Sequence, residues 1–315
     1  MSESSTNWNL DGHRQLQLPH PDHPQDGHTD MVYAVSVQGD YLVSVSADRT
    51  ARVWDLRTQR LLYPALSGHT GSVTAVQFDA AAHKDVIIVG DADGNVMVWR
   101  FSTRETVKTI VEAHVGDVLC LHFDHRYLVT GGKDGKIKLW NRHSLDVNTD
   151  LPGFAARPAE GDRHQEYSLL ATFDGHDKAV LALKLKDNVL VSGSGDSTKI
   201  YDVDQHAEIA YLEGHTNLIR SVQAVFGDNA EVKTIVTGSY DGSIRFWEQV
   251  PGSHEWRTQQ QFHISGFEMH EGVHSDNGAN VFSNRISSVD LDAERLVCAG
   301  HGPIVRVWDF RLPRK

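Results

Sequence analysis

The sequence predicts an all-β protein built from six repeated units, and three observations carry that prediction. Aromatic residues recur in register: Trp54, Trp99, Trp140, Tyr201, Trp247 and Trp308 each close a segment of the same grammar. Within each segment, apolar and polar residues alternate over short runs, the period of a half-buried strand. Gly, Asp and Asn separate the runs, and Asp93-Gly94, Asp134-Gly135 and Asp241-Gly242 give the strongest short hairpin signal. Apolar spacing of three and four is absent over any window of about 11 residues, so a helical reading fails.

The units follow in order. The first runs from Gly27 to Asp55 (GHTDMVYAVSVQGDYLVSVSADRTARVWD), with a Gly-His opening, two β-rich stretches, an Asp-led turn and a third stretch ending on Trp54. The second places apolar residues at Val73, Val76 and Phe78 and turns at Asp93-Gly94. The third, Ala113 to Asn141, alternates over Ile137 to Trp140. The fourth follows an insert near Asn148 to Glu166, whose Pro152, Gly153, Pro158 and Gly161 read as a loop. In that unit Tyr201 comes five residues after Asp196 rather than six, which predicts a third strand shortened by one. The fifth is regular; the sixth, after a second loop insert near Ser265 to Ser283, keeps little but Trp308. Each long interval carries roughly 20 extra residues where a further unit needs about 40, so six units fit better than seven.

Units of about 40 residues running from Gly-His to Trp-Asp resemble WD repeats. The resemblance implies that each unit is one four-stranded blade of a β-propeller, with six recognisable blades and seven left open by the count. Residues 27–310 would form the ring, 1–26 an N-terminal segment and 311–315 a short tail. Few residues follow Asp309, and Leu16 and Leu18 alternate before the first Gly-His. The stretch His13 to Leu18 is therefore expected to supply the last outer strand and close the ring, removing its open edges.

In such a blade a buried tetrad is expected: His from the opening pair, a hydroxyl four residues before the turn Asp, that Asp, and Trp six after it. Blade one offers His28, Ser44, Asp48 and Trp54; blade three His114, Thr130, Asp134 and Trp140; blade five His215, Thr237, Asp241 and Trp247. Blade two offers His69, Asp93 and Trp99, with Val89 in place of the hydroxyl. Blade four offers His176, Ser192 and Asp196 with Tyr201 misplaced, and blade six has Cys298, Gly302 and Trp308. Blades four and six are expected to be the loosest.

Composition narrows function. The formal charge of −12 disfavours general binding to nucleic acid or anionic membrane, because neutralising phosphates needs clustered Lys and Arg. No run approaches ~20 apolar residues and the polar start, Met1 to Asp11, is unlike a secretory signal. Cys120 and Cys298 cannot make a disulfide framework and read as small buried hydrophobes. An intracellular chain, cytoplasmic or nuclear, is the expectation.

The Ser-His-Asp sets invite comparison with catalytic triads. They recur at tetrad spacing, however, whereas a nucleophile is unique and exposed, and no G-x-S-x-G occurs. The stretch HPDHPQDGH, His20 to His28, has the density of a metal site, but its prolines suit an extended exposed segment and His28 is claimed by the tetrad. His263, His270 and His274 read as loop histidines. Asp91 to Asn95 starts like a calcium loop without its later Glu, and Gly193 to Ser197 is a hairpin turn rather than a phosphate loop. No catalytic residue, metal or cofactor is called for, and the chain is read as a non-enzyme.

What remains is surface. In WD-like blades, residues just before the inner strand and just before the turn Asp point onto one rim. Here that places Ser72, Lys133, Lys178, Tyr240, Arg285 and His301 on it, with Asp117 interrupting the positive arc. Such an arc suits an anionic or phosphorylated peptide. The stretches HRQLQL, GHTGSVTAVQFD, GHTNLIRSV and RISSVDLDAERLVCAG together resemble the propellers of F-box/WD-repeat proteins. That resemblance implies a non-catalytic module that holds the substrate of a cullin–RING ubiquitin ligase, with ligase subunits as partners. An F-box needs about 40–50 helical residues, more than precede Gly27, and the rim has fewer arginines than phosphodegron readers usually carry. A general WD scaffold without a ubiquitin role is the alternative.

Overall fold

Each repeat folds into its own antiparallel sheet. The computed structural model describes residues 17–81, 84–142, 166–227, 231–253, 255–263, 285–291, 295–300 and 305–309. Blade one is β1 (Val32–Gln38), β2 (Tyr41–Ser46), β3 (Ala51–Asp55) and the short β4 (Arg60–Leu61). Blade two is β5 (Val73–Asp79), β6 (Val86–Asp91), β7 (Val96–Arg100) and β8 (Thr106–Ile110). Blade three is β9 (Val118–Phe123), β10 (Tyr127–Gly132), β11 (Ile137–Asn141) and β12 (Leu169–Phe173). Blade four is β13 (Val180–Lys186), β14 (Val189–Ser194), β15 (Ser197–Asp202) and β16 (Ala207–Glu213). Blade five is β17 (Ile219–Phe226), β18 (Val232–Ser239), β19 (Ser243–Gln249) and β20 (Trp256–His263). Blade six has β21 (Ile286–Leu291), β22 (Arg295–Gly300) and β23 (Val305–Asp309). The architecture is an all-β propeller, with no α-helix among the described residues.

Packing between blades follows from a recurrent pairing of large on small. From blade two onward, the first residue of the following inner strand sits where the preceding blade's second strand carries glycine; blade one has Val45 there. A Cβ on Gly90 would lie 2.5 Å from Val118, and one on Gly131 2.7 Å from Val180; Gly193 and Gly238 back onto Ile219 and Ile286 in the same way. Val118, Val180, Ile219 and Ile286 are wholly buried as a result. Among the described residues the hydrophobic core is five clusters, each shared by two successive blades. All six inner strands also carry a bulge near their start, where one extra residue re-aims the side chains that follow.

The turns show why Asp-Gly was selected. Gly135 adopts φ +76°, and a Cβ there would lie 2.6 Å from the His176 carbonyl of the next blade. Glycine is thus needed for both the backbone angle and the close approach.

One expectation is corrected here. The third strand of blade four is not shortened: β15 has six residues against five in β3 and β11. The missing residue comes out of the turn instead, because Ser194 pairs directly with Ser197 across Gly195-Asp196. The expected closing strand, His13 to Leu18, falls mostly beyond what the structure describes. Residues 13–16 lie outside the described residues, Gln17 and Leu18 belong to no strand, and blade six has three strands among those described. On the side of blade one that would meet blade six, Val32, Val35 and Val37 are 51%, 61% and 64% exposed. The proposed tail, 311–315, and most of both inserts also lie outside the described residues.

Candidate partner-binding rim

The rim is held by the tetrads beneath it. In blade one Trp54 Nε1 donates to Ser44 Oγ at 2.9 Å, His28 Nε2 meets the same Oγ at 2.8 Å, and His28 Nδ1 meets Asp48 Oδ2 at 2.8 Å. Blade three repeats this with Trp140, Thr130, His114 and Asp134 at 3.0, 2.8 and 3.0 Å. Blade five has Trp247, Thr237, His215 and Asp241 at 2.9, 2.7 and 2.8 Å. Each carboxylate also accepts the amide that follows its histidine, from Thr29, Val115 and Thr216. Turn amides of Thr50, Lys136 and Ser243 complete its shell.

The electrostatics follow from that shell. Burial alone would raise the Asp48 carboxyl, but hydrogen bonds from Thr50, His28 and the Thr29 amide hold it at about 2. Asp134 and Asp241 are lowered against burial in the same way. Burial lowers His28 and His114 despite their aspartate partners, so these imidazoles stay neutral at pH 7. The triad-like residues are therefore structural, with His114 and Thr130 almost wholly inaccessible.

Blade two departs from the sequence expectation. His69 Nδ1 pairs with Asp91, not Asp93, at 2.8 Å. Asp91 also accepts the amides of Asp93 and Asn95, so it does the turn-capping work from two residues earlier. Asp93 is exposed and takes the Thr70 hydroxyl instead. With Val89 in the hydroxyl's place, His69 Nε2 is buried without a partner. The calcium-like stretch is thus a turn.

A backbone bond recurs at the rim in blades one, two, three and five. Ala47 donates to Met31, Ala92 to Ser72, Lys133 to Asp117 and Tyr240 to Leu218, all at 2.8–2.9 Å. The Ser194 hydroxyl of blade four donates to the Lys178 carbonyl, as Ser46 and Ser239 do to Asp30 and Asn217. Ser72 is half-buried, while Lys133, Lys178 and Arg285 are exposed. Lys133 is paired with Asp117 at 3.6 Å. Tyr240 and Arg285 are brought together, the guanidinium 5.2 Å from the ring centroid. His301 lies outside the described residues.

A residue that sequence reading passed over completes this cluster. The Arg220 guanidinium lies 5.7 Å from the Tyr240 ring centroid, so two arginines flank one aromatic side chain. Arg220 follows the first apolar residue of its inner strand, a position held by Thr74, Leu119, Leu181 and Ser287 in blades two, three, four and six. The bulge between Ile219 and Ser221 is what re-aims it. Two guanidinium groups beside a phenol ring can hold an anion bidentately and stack on planar groups.

The histidines offer little metal chemistry. His20 pairs with Asp22 at 3.6 Å on the surface, and His263 interacts with Gln261; His270 and His274 lie outside the described residues. Donor atoms of Asp124, His125 and Asp187 lie within 4.8 Å of one another. Asp124 already accepts the amides of Arg126, Tyr127 and Asp187, which accounts for its placement. Burial pushes the Cys120 thiol up, which disfavours the reactive thiolate.

Comparison with known proteins agrees with this architecture. The pattern described as "WD domain, G-beta repeat" matches residues 20–55, 61–100, 104–141, 167–202 and 207–248, leaving the degenerate sixth sheet unmatched. Among curated proteins, Cell division control protein 4 of Candida albicans is 29% identical over 39% of this chain and 17% of its own length. The DENN domain and WD repeat-containing protein SCD1 of Arabidopsis thaliana is 26% identical over 86% of this chain and 27% of its own. WD repeat-containing protein pop2 of Schizosaccharomyces pombe is 29% identical over 62% and 24%. The chain thus spans about a quarter or less of these relatives' lengths. The computationally designed Ika8 protein, at 25% identity, superposes with TM-score 0.62 over 90% of this chain and 73% of its own. U3-55K, at 20% identity, superposes with TM-score 0.68 over 90% and 78%. With more than half of its residues in matched repeats and each repeat folded as one blade, this chain belongs to the WD domain, G-beta repeat family.

Proposed function

We propose that the rim binds a phosphorylated peptide segment of a partner protein at Arg220, Tyr240 and Arg285, and that the chain recognises substrates for a cullin–RING ubiquitin ligase in the cytoplasm or nucleus. The observation that carries this is the pair of guanidinium groups flanking Tyr240, since a phosphate accepts bidentate hydrogen bonds from arginine. The resemblance to F-box/WD-repeat propellers supports the ligase assignment. The test is a phosphoserine peptide selected from a library, with binding measured for the wild type, Arg220→Glu and Arg285→Glu. Each reversal is expected to abolish binding while the melting temperature stays put. Undiminished binding by both variants refutes the site. Co-purification of cullin and adaptor subunits from cell extract tests the ligase assignment separately.

A scaffold role outside ubiquitin ligases is favoured by one finding: the DENN domain and WD repeat-containing protein SCD1 matches 86% of this chain. Stable capture of a multiprotein complex free of cullin would support it.

A further inference from the structure

We propose that blade four carries a carboxylate-binding pocket on the rim, formed where its own turn aspartate has been drawn away, and that an acidic side chain of a partner fills it. The other blades serve as internal controls. In blades one, two, three and five the histidine Nδ1 has a carboxylate oxygen at 2.8–3.0 Å. In blades one, three and five the same carboxylate takes the next amide as well. A carboxylate position is therefore built into the repeat, defined by an imidazole N–H, an amide N–H and a nearby cation.

Blade four keeps the receptor and loses the occupant. His176 Nε2 still meets the Ser192 hydroxyl at 2.7 Å, as in the complete tetrads. The two-residue turn Gly195-Asp196 leaves Asp196 exposed and without a hydrogen bond to His176. Lys199 holds the position that Arg52, Lys138 and Arg245 hold in the complete blades, each paired in register with the tetrad hydroxyl residue. Deprived of the aspartate, its ammonium reaches Glu208 at 2.7 Å.

The space beside His176 is a cavity of about 540 Å³, whose walls include Gly175, Lys178, Asp196, Lys199 and Tyr211. Lys178 lies over Gly195, whose added Cβ would sit 2.7 Å from its Cδ. The acids at this pocket are Asp177, Asp196 and Glu208, against Lys178 and Lys199. Glu208 is matched to Lys199, which leaves Lys178 beside the exposed Asp177 and Asp196. Burial, reinforced by Lys199, holds the imidazole at about 4, so it is a neutral donor at pH 7 and gains from an anionic acceptor. The pocket exists whether or not Arg220 and Arg285 bind phosphate, and it adds a second, chemically different anchor.

The experiment is an imidazole ¹H–¹⁵N titration of the full chain with sodium acetate, at ionic strength held constant with chloride. A saturable shift of the His176 resonances, with those of His28, His114 and His215 unmoved, is the expected result. Lys199→Met should weaken the acetate response several-fold. A variant with one glycine inserted between Asp196 and Ser197 restores the longer turn, and its His176 should no longer respond. Absence of a His176 shift overturns the proposal. So does inorganic phosphate acting as well as acetate, since it would show an unselective anion surface.

Discussion

Replacing Asp134 with alanine should destabilise the protein, whereas the same change at Asp196 should not, although both aspartates sit in the same sequence pattern. Asp134 accepts from His114 Nδ1, whose side chain is inaccessible, and from the Val115 and Lys136 amides. Water can replace the carboxylate at Val115 and Lys136, which are exposed. It cannot reach the imidazole, and a stranded buried donor costs about 1–3 kcal/mol. Adding the weakened turn brings the total to about 2–4 kcal/mol. Asp196 bonds to no histidine, so its loss should stay within about 0.5 kcal/mol. Blade two supplies a second contrast: Asp91→Ala should behave like Asp134→Ala, and Asp93→Ala like Asp196→Ala. The assay is urea denaturation followed by circular dichroism and tryptophan fluorescence, with Gln260→Ala, on the exposed face of β20, as the control. Coincident transitions and unchanged m-values are required, because repeat proteins can unfold blade by blade. Equal losses for Asp134→Ala and Asp196→Ala, or a harmless Asp91→Ala, would refute the reasoning.

Acid should unfold the protein in a defined window. The lowered carboxyls of Asp48, Asp134 and Asp241 contribute stability above the ordinary carboxylate range, lost as pH falls toward their folded values, about 2 for Asp48. The lowered imidazoles of His28, His114 and His176 contribute above about 6.5, lost as pH falls toward the folded value, about 4 for His176. The urea midpoint should therefore decline from about pH 6.5 downward, and a midpoint flat between neutrality and pH 4 would contradict these assignments. Packing between blades predicts that Leu183→Ala, in the seam of blades three and four, costs about 2–5 kcal/mol by the same urea measurement. Val35→Ala, at the equivalent position of blade one, should cost under about 0.5 kcal/mol because that side chain is 61% exposed.

What the sequence disclosed and withheld has a physical pattern. The tetrads of blades one, three and five were legible because a hairpin of fixed length links hydroxyl, aspartate and tryptophan, so spacing alone determines which side chains meet. In blade two the spacing held but the bonding did not: Val89 removes the hydroxyl, and Asp91 is buried where it can reach both His69 and the turn amides. The shortened interval in blade four was visible, yet its location was misjudged. Removing one residue inside β15 would have turned Thr198, Ile200 and the rest of its buried face toward solvent, since strand side chains alternate. The turn was the cheaper place to lose it. Arg220 was missed for a related reason, since a bulge re-aims a side chain without changing the alternation around it. Closure of the ring depends on pairing between distant segments, about which local periodicity says little.

The same turn therefore serves two ends in this protein. Where it has three residues, its aspartate locks a histidine and the blade is closed to outside chemistry. Shortened to two, it leaves the His176 imidazole without its aspartate, beside Lys199 and facing a cavity. Redundancy makes this tolerable: complete tetrads flank blade four on both sides, in blades three and five, and its seams with each are filled by large residues over glycine. A repeat architecture can thus surrender one structural tetrad to binding without surrendering the fold, because each blade depends chiefly on its neighbours. Specific recognition on such a ring is then expected where the repeat is irregular. The two features singled out on the rim obey that rule: the blade-four pocket arises from a deletion, and the Arg220–Tyr240–Arg285 cluster from a cation where other blades carry neutral residues.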